Sequence, residues 1–306
     1  MSKPPRLGLP ASARAHRLTT ARGSFAVHDA GEPRLGTALL VPGFTGSKED
    51  FIGLLGPLSD AGFRVVAVDG RGQYETGGPR AEEAYARAEL ARDVLALTEA
   101  VRHGEGTGDS GGGEPAGVHL LGHSLGGLIA RSAVLRDRTP FASLTLMSSG
   151  PGAVSAGQQQ RLKMLLGALP EMALEEIWQA MRELDPAEAA DEQTPAAVAD
   201  FLHRRWMAHA PEQLAATARQ LIEEPDRVAE LAGVTGGDGR TDAPLPVHVL
   251  SGSVDFAWPV PLLDEMAVRL GAARTVVRGA GHSPNAERPV ETARALAEFW
   301  SGAGAG

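Results

Sequence analysis

Ser124 stands between two glycines in the run Gly122-His123-Ser124-Leu125-Gly126. A serine hydroxyl becomes a useful nucleophile only when a neighbouring base takes its proton. The apolar run Val118–Leu121 precedes it, and Leu125, Leu128, Ile129 and Val134 follow at helical spacing. That pattern predicts a strand, a sharp turn carrying Ser124, and a helix whose N-terminus directs N–H groups toward the serine oxygen. A tight turn of this kind needs small neighbours, which Gly122 and Gly126 supply. A glycine-bounded turn with an incidental serine has the same letters, so the partners have to be found elsewhere in the chain.

The base is expected at His282, in Gly-Ala-Gly-His-Ser-Pro after the last apolar run and before the last helical pattern. Its polar neighbours Ser283, Asn285 and Glu287 mark an exposed loop at the C-terminal edge of a strand, where sites form in open α/β sheets. His123 adjoins Ser124, so the turn would aim its side chain elsewhere, and it is read as a supporting residue. His119, His203, His209 and His248 fall within predicted strands or helices. The acid is expected at Asp255, just after the run ending near Ser251, where a carboxylate would hold the imidazole tautomer and stabilise the imidazolium. Asp242, in a polar linker, and Asp264, inside a helical pattern, are weaker candidates. Two backbone donors are needed for a developing oxyanion. Leu125, following the nucleophile, offers one, and Phe44 in Pro42-Gly43-Phe44-Thr45 offers the other. Thr45, Phe256 and Trp258 are candidate pocket residues, as are Trp178 and Trp206, although aromatic residues at helical spacing more often pack a helical core.

The elements that position these groups follow from the patterning. Residues 23–29, 37–42, 64–69, 118–123, 143–149, 246–252 and 274–279 read as strands, most of them apolar without alternation, as in a parallel sheet covered on both faces. Residues 48–62, 81–102, 124–136, 260–270 and 287–300 read as the intervening helices, which implies right-handed βαβ crossovers. Residues 151–233 break the alternation with four helical stretches punctuated by Pro170, Asp185–Pro186, Pro195 and Pro211. They are expected to form an inserted helical lid, leaving 1–150 and 234–306 as the core. The glycine-rich stretches 103–117 and 235–244 read as flexible linkers.

Composition excludes several classes. The 306 residues carry a net charge of −9, so there is no basic footprint for nucleic acid. Cysteine is absent, which removes disulfides and a thiol nucleophile. The first residues lack the apolar core of a secretion signal and no run of about 18 apolar residues occurs, so a cytoplasmic protein with no membrane span is expected. No metal-ligand spacing is present.

The motifs PGFTGS (42–47), VDGRGQ (68–73), GHSLGG (122–127) and SGSVD…GAGHSP (251–255 and 279–284) appear in the order found in the α/β-hydrolase superfamily. Over about residues 23–300 the chain resembles the lid-bearing, esterase-like branch. The resemblance implies a doubly wound, mostly parallel eight-stranded sheet flanked by helices. It also implies a catalytic triad of Ser124, Asp255 and His282, and an oxyanion hole from the Phe44 and Leu125 backbones. The activity implied is hydrolysis of an ester-like bond in a small-molecule acyl substrate, with no cofactor and no metal. The chain departs from the usual pattern at Pro42–Gly43, at Arg71-Gly72-Gln73-Tyr74 and at Ser253–Val254, and none of these removes a catalytic group. An acyltransferase, or a lactone, amide or C–C bond hydrolase, would use the same groups. A ligand-binding protein without turnover would not need all three.

Overall fold

The structure is a computed structural model that describes residues 1–103, 117–184, 194–236 and 244–303. Asp242 and nearly all of both glycine-rich linkers lie outside the described residues. One eight-stranded sheet organises the chain, in the order β1-β2-β4-β3-β5-β6-β7-β8. The strands are β1 (Ala13–Thr20), β2 (Gly23–Ala30), β3 (Gly36–Val41), β4 (Phe63–Val68), β5 (Val118–His123), β6 (Phe141–Met147), β7 (Val247–Gly252) and β8 (Ala273–Val277). β1 and β2 form an antiparallel hairpin and β2 runs antiparallel to β4, while every pairing from β4 through β8 is parallel.

β4, β5 and β7 are buried along their whole length, which accounts for sequences that are mainly apolar and lack an alternating exposed polar face. Alternate side chains serve opposite layers. Ala38 and Leu40 of β3 pack with α1 (Ile52–Asp60) and with Leu296 and Trp300 of the C-terminal helix. Leu39 and Val41 pack against α2 (Arg87–His103) and α3 (Leu125–Arg136) on the other face. β1 is the strand without a sequence expectation. It is an edge strand with one neighbour and a mostly exposed or half-buried polar sequence, so it offers no apolar run to read.

After β3 the chain moves one way to β4, then crosses back to place β5 on the other side of β3. The connections leaving the C-terminal ends of β3 and β5 therefore diverge, and a crevice opens at that reversal.

Between β6 and β7 the chain inserts α4 (Ala156–Ala168), α5 (Leu174–Leu184), α6 (Ala196–Met207), α7 (Pro211–Glu223) and α8 (Val228–Thr235). α5, α6 and neighbouring residues gather an apolar cluster of their own. α8 instead packs on α3 and on α9 (Val260–Leu270), so this short helix is seated on the core, and the expected lid limit at residue 233 falls inside it. The chain closes with α10 (Pro284–Glu287) and α11 (Pro289–Ala303).

Candidate active site

Ser124 ends β5 and begins α3 with φ 54° and ψ −120°, a left-handed backbone that costs a non-glycine residue on the order of 1–3 kcal/mol. The surroundings enforce it. A Cβ on Gly122 would overlap the Gly126 carbonyl, and a Cβ on Gly126 would overlap the backbone of Val41 and Pro42. Both positions therefore admit only glycine. The elbow is further held by the Ser124 N–H, which donates to the Met147 carbonyl at 2.9 Å.

His282, on the loop after β8, reaches Ser124 from the side. Its Nε2 lies 3.1 Å from Ser124 Oγ, and its Nδ1 lies 3.0 Å from each carboxylate oxygen of Asp255. An ionised carboxylate only accepts, so Nδ1 carries the proton and Nε2 accepts from the serine hydroxyl. Asp255 follows β7, and its side chain is fully buried. Its Oδ1 also accepts the Ala257 N–H at 2.8 Å and the Trp258 N–H at 3.1 Å. The sheet thus brings Ser124 to two residues more than a hundred positions later in the chain, each of the three just past the C-terminal end of a strand.

The His282 loop is tied on two sides. Glu287 accepts the N–H groups of Gly281 (2.6 Å) and Ser283 (3.0 Å). From beneath, His123 Nε2 donates to the His282 carbonyl at 2.8 Å. Burial first, and the neighbouring His282 second, lower the His123 pKa to about 3, so His123 is neutral. Sequence proximity to Ser124 gave no sign of this link, because the partner lies 159 positions away.

The loop after β3 passes close to Ser124, and a Cβ on Gly43 would stand 3.3 Å from Ser124 Cβ. Gln73 anchors this loop by donating from Nε2 to the carbonyls of Gly43 (2.7 Å) and Phe44 (3.3 Å), while its Oε1 accepts the Gly70 N–H at 3.0 Å. In a trans peptide the carbonyl and the next N–H point opposite ways. Holding the Gly43 carbonyl on Gln73 therefore turns the Phe44 N–H away from Gln73. Leu125, the first residue of α3, has an N–H that lacks an intrahelical acceptor. Asp50, farther along the same loop, makes a fully buried ion pair with Arg205 of α6 at 2.6 Å, and its carbonyl accepts from Asn285 Nδ2 at 2.8 Å. Gln73, Asp50 and Arg205 were not legible as site residues, because their partners are backbone carbonyls and a distant helix.

A cavity of about 260 Å³ opens over Ser124. Thr45 and Phe256 line it, together with Phe44, Val154, Leu162 and Leu221. The Phe256 ring lies 4.7 Å from that of His282. The other aromatic candidates stand elsewhere. Trp178 and Trp206 are buried in the apolar cluster of the inserted helices, where the Trp206 indole N–H donates to the Leu174 carbonyl at 2.8 Å. Trp258 is fully buried beside Asp255, and its indole N–H is shared between the Gly152 (2.9 Å) and Ala153 (3.1 Å) carbonyls. It bolts the start of the insertion to the Asp255 loop. Asp264 pairs with Arg274, and His203 with Glu175, away from the cavity.

Residues 38–295 match the model of the alpha/beta hydrolase family. The chain belongs to that family. Among curated sequences, this α/β-hydrolase is 38% identical over 121 residues to a protein of Variovorax paradoxus named as a candidate carbamate hydrolase, RutD. That match covers 39% of this chain and 40% of the relative, so the chain spans about two fifths of the length of the curated relatives it matches. Among solved structures, a thermophilic esterase from Thermogutta terrifontis superposes with a TM-score of 0.72 at 22% identity, covering 95% of this chain and 99% of the other. A hydrolase from Pseudomonas aeruginosa superposes with a TM-score of 0.70 at 24% identity, covering 94% and 98%. These superpositions show the α/β-hydrolase fold. Among the described residues no helix is long and apolar enough to cross a membrane.

Proposed function

We propose that this α/β-hydrolase is a serine hydrolase that cleaves an ester-like bond of a small apolar substrate through an acyl-enzyme. The observation that carries the reading is the continuous hydrogen-bonded line from Ser124 Oγ through the His282 imidazole to the buried Asp255 carboxylate. Ser124 Oγ attacks the acyl carbon while His282 Nε2 takes its proton, and Asp255 stabilises the imidazolium. The oxyanion is received by the N–H groups of Leu125 and Phe44, and each such donor is worth about 2.7–4 kcal/mol in the transition state. His282 protonates the leaving oxygen, then removes a proton from water, which attacks the acyl carbon and frees Ser124.

The lining of Phe44, Val154, Leu162, Leu221 and Phe256 supports an apolar acyl or alcohol group. The likeness to a candidate carbamate hydrolase supports carbamates as a second substrate class. Turnover of a panel of small esters, carbamates, thioesters, amides and lactones tests the proposal. Hydrolysis of esters by the wild-type chain, with acyl release to water, is the expected outcome. Transfer to added alcohols or amines without hydrolysis would make it an acyltransferase instead.

A further inference from the structure

The cavity over Ser124 has an unexpected wall. Met1 and Ser2 line it alongside Ser124 and His282. The segment that brings them there is fastened at several points. Arg205 Nη2 donates to the Ser2 carbonyl at 2.9 Å, and Pro4 is buried. Pro5 lies against α1 at Gly53, where an added Cβ would be 3.3 Å from its Cγ. Leu7 packs on the apolar cluster of the inserted helices, and Leu9 packs on the α1 and α11 side of the core. The segment therefore runs from the start of β1, past α1 and the apolar cluster of the inserted helices, to the cavity beside Ser124. Pro4–Pro5 fixes two φ angles and lowers the entropy lost in holding this extended path. Ser2 Oγ is buried there with no hydrogen-bond partner among the described residues.

We propose that residues 1–9 form a strap that sets the size limit of the substrate, with Ser2 as part of the pocket wall. The proposal rests on the acyl-transfer reading of Ser124. With the strap docked, Met1 and Ser2 narrow one side of a cavity of about 260 Å³, so a long acyl chain has to pass the strap whereas a short one does not. Arg205 ties the strap to the inserted helices: Nη1 pairs with the buried Asp50 while Nη2 donates to the Ser2 carbonyl.

The test uses the 306-residue chain and kcat/KM for 4-nitrophenyl acetate and 4-nitrophenyl octanoate. Leu7→Asp undocks the strap from the apolar cluster without touching the cavity. It should raise the octanoate-to-acetate ratio by about tenfold or more while acetate turnover stays within about threefold. Ser2→Trp adds bulk to the wall and should lower the same ratio by about tenfold or more. An unchanged ratio in either folded variant overturns the strap, and Ser2→Trp alone decides if Leu7→Asp does not fold. No turnover of either ester by the wild-type chain overturns the acyl-transfer reading and the strap with it. Wild-type turnover with an unmoved ratio overturns the strap alone.

Discussion

His123 Nε2 donates a 2.8 Å hydrogen bond to the backbone carbonyl of His282, so the residue before Ser124 holds the loop that bears His282. Burial keeps His123 neutral, which leaves one ring nitrogen as the donor to that carbonyl. His123→Ala should reduce kcat by about 10- to 100-fold with KM little changed, because small misplacements of a reacting group have effects of that order. His123→Gln, whose Nε2 has similar reach, should recover part of the loss. Steady-state kinetics of the two variants check this, and equal losses in both would remove the positioning role.

Gln73 orients the peptide between Gly43 and Phe44 through its carbonyl. Gln73→Ala frees that peptide to rotate, and kcat should fall by about 10- to 100-fold with KM within about threefold, as expected for a donor that acts in the transition state. An unchanged kcat would mean that the Phe44 N–H is held by other contacts or is not used.

The Arg205–Asp50 pair joins the inserted helices to the loop beside the nucleophile, and neither side chain is exposed. Arg205→Met leaves the Asp50 carboxylate buried without its cation and should lower the unfolding free energy by about 3–5 kcal/mol. Combining it with Asp50→Asn should restore a substantial part. Urea denaturation of the single and double variants measures the coupling, and strict additivity would contradict it.

Five buried histidines set an acid limit on stability. Burial lowers His28, His119, His209 and His248 to about 4 and His123 to about 3, from an ordinary 6.5. The folded chain holds them neutral, so the unfolded chain binds more protons between pH 6.5 and about 4. Their contribution is complete above pH 6.5 and is lost as pH falls through that window. Asp69, pushed up to about 7 by burial against its Lys48 partner, and Asp50, raised by burial, act in the opposite sense, two groups against five. The melting temperature should therefore drop by at least about 5 °C between pH 7 and pH 5. His248→Gln should flatten the drop, whereas a melting temperature independent of pH would contradict it.

The parts of the molecule that were legible in sequence share a physical reason. Ser124, Asp255 and His282 are residue types that the chemistry demands, each just past a strand long and apolar enough to be recognised. Gly122 and Gly126 were legible because the turn leaves no room for a Cβ. β1 was not, since an edge strand such as Ala13–Thr20 needs no apolar run. Trp258 was read as a pocket residue from its place beside Asp255, but its indole turns inward to the carbonyls of Gly152 and Ala153. Gln73, His123 and Arg205 act on backbone carbonyls or on a buried partner far along the chain, and no local pattern encodes such links. The boundary of the insertion was blurred because α8 has an apolar face like its neighbours yet packs on the core.

The central claim is that Ser124 is the nucleophile activated by His282. A fluorophosphonate probe, followed by peptide mass spectrometry, tests it most directly. The wild-type chain should be modified on Ser124 alone and lose ester turnover in proportion. Ser124→Ala should neither label nor turn over, and His282→Ala should label at least about a thousandfold more slowly. Modification at another residue, or full turnover by Ser124→Ala, would contradict the account.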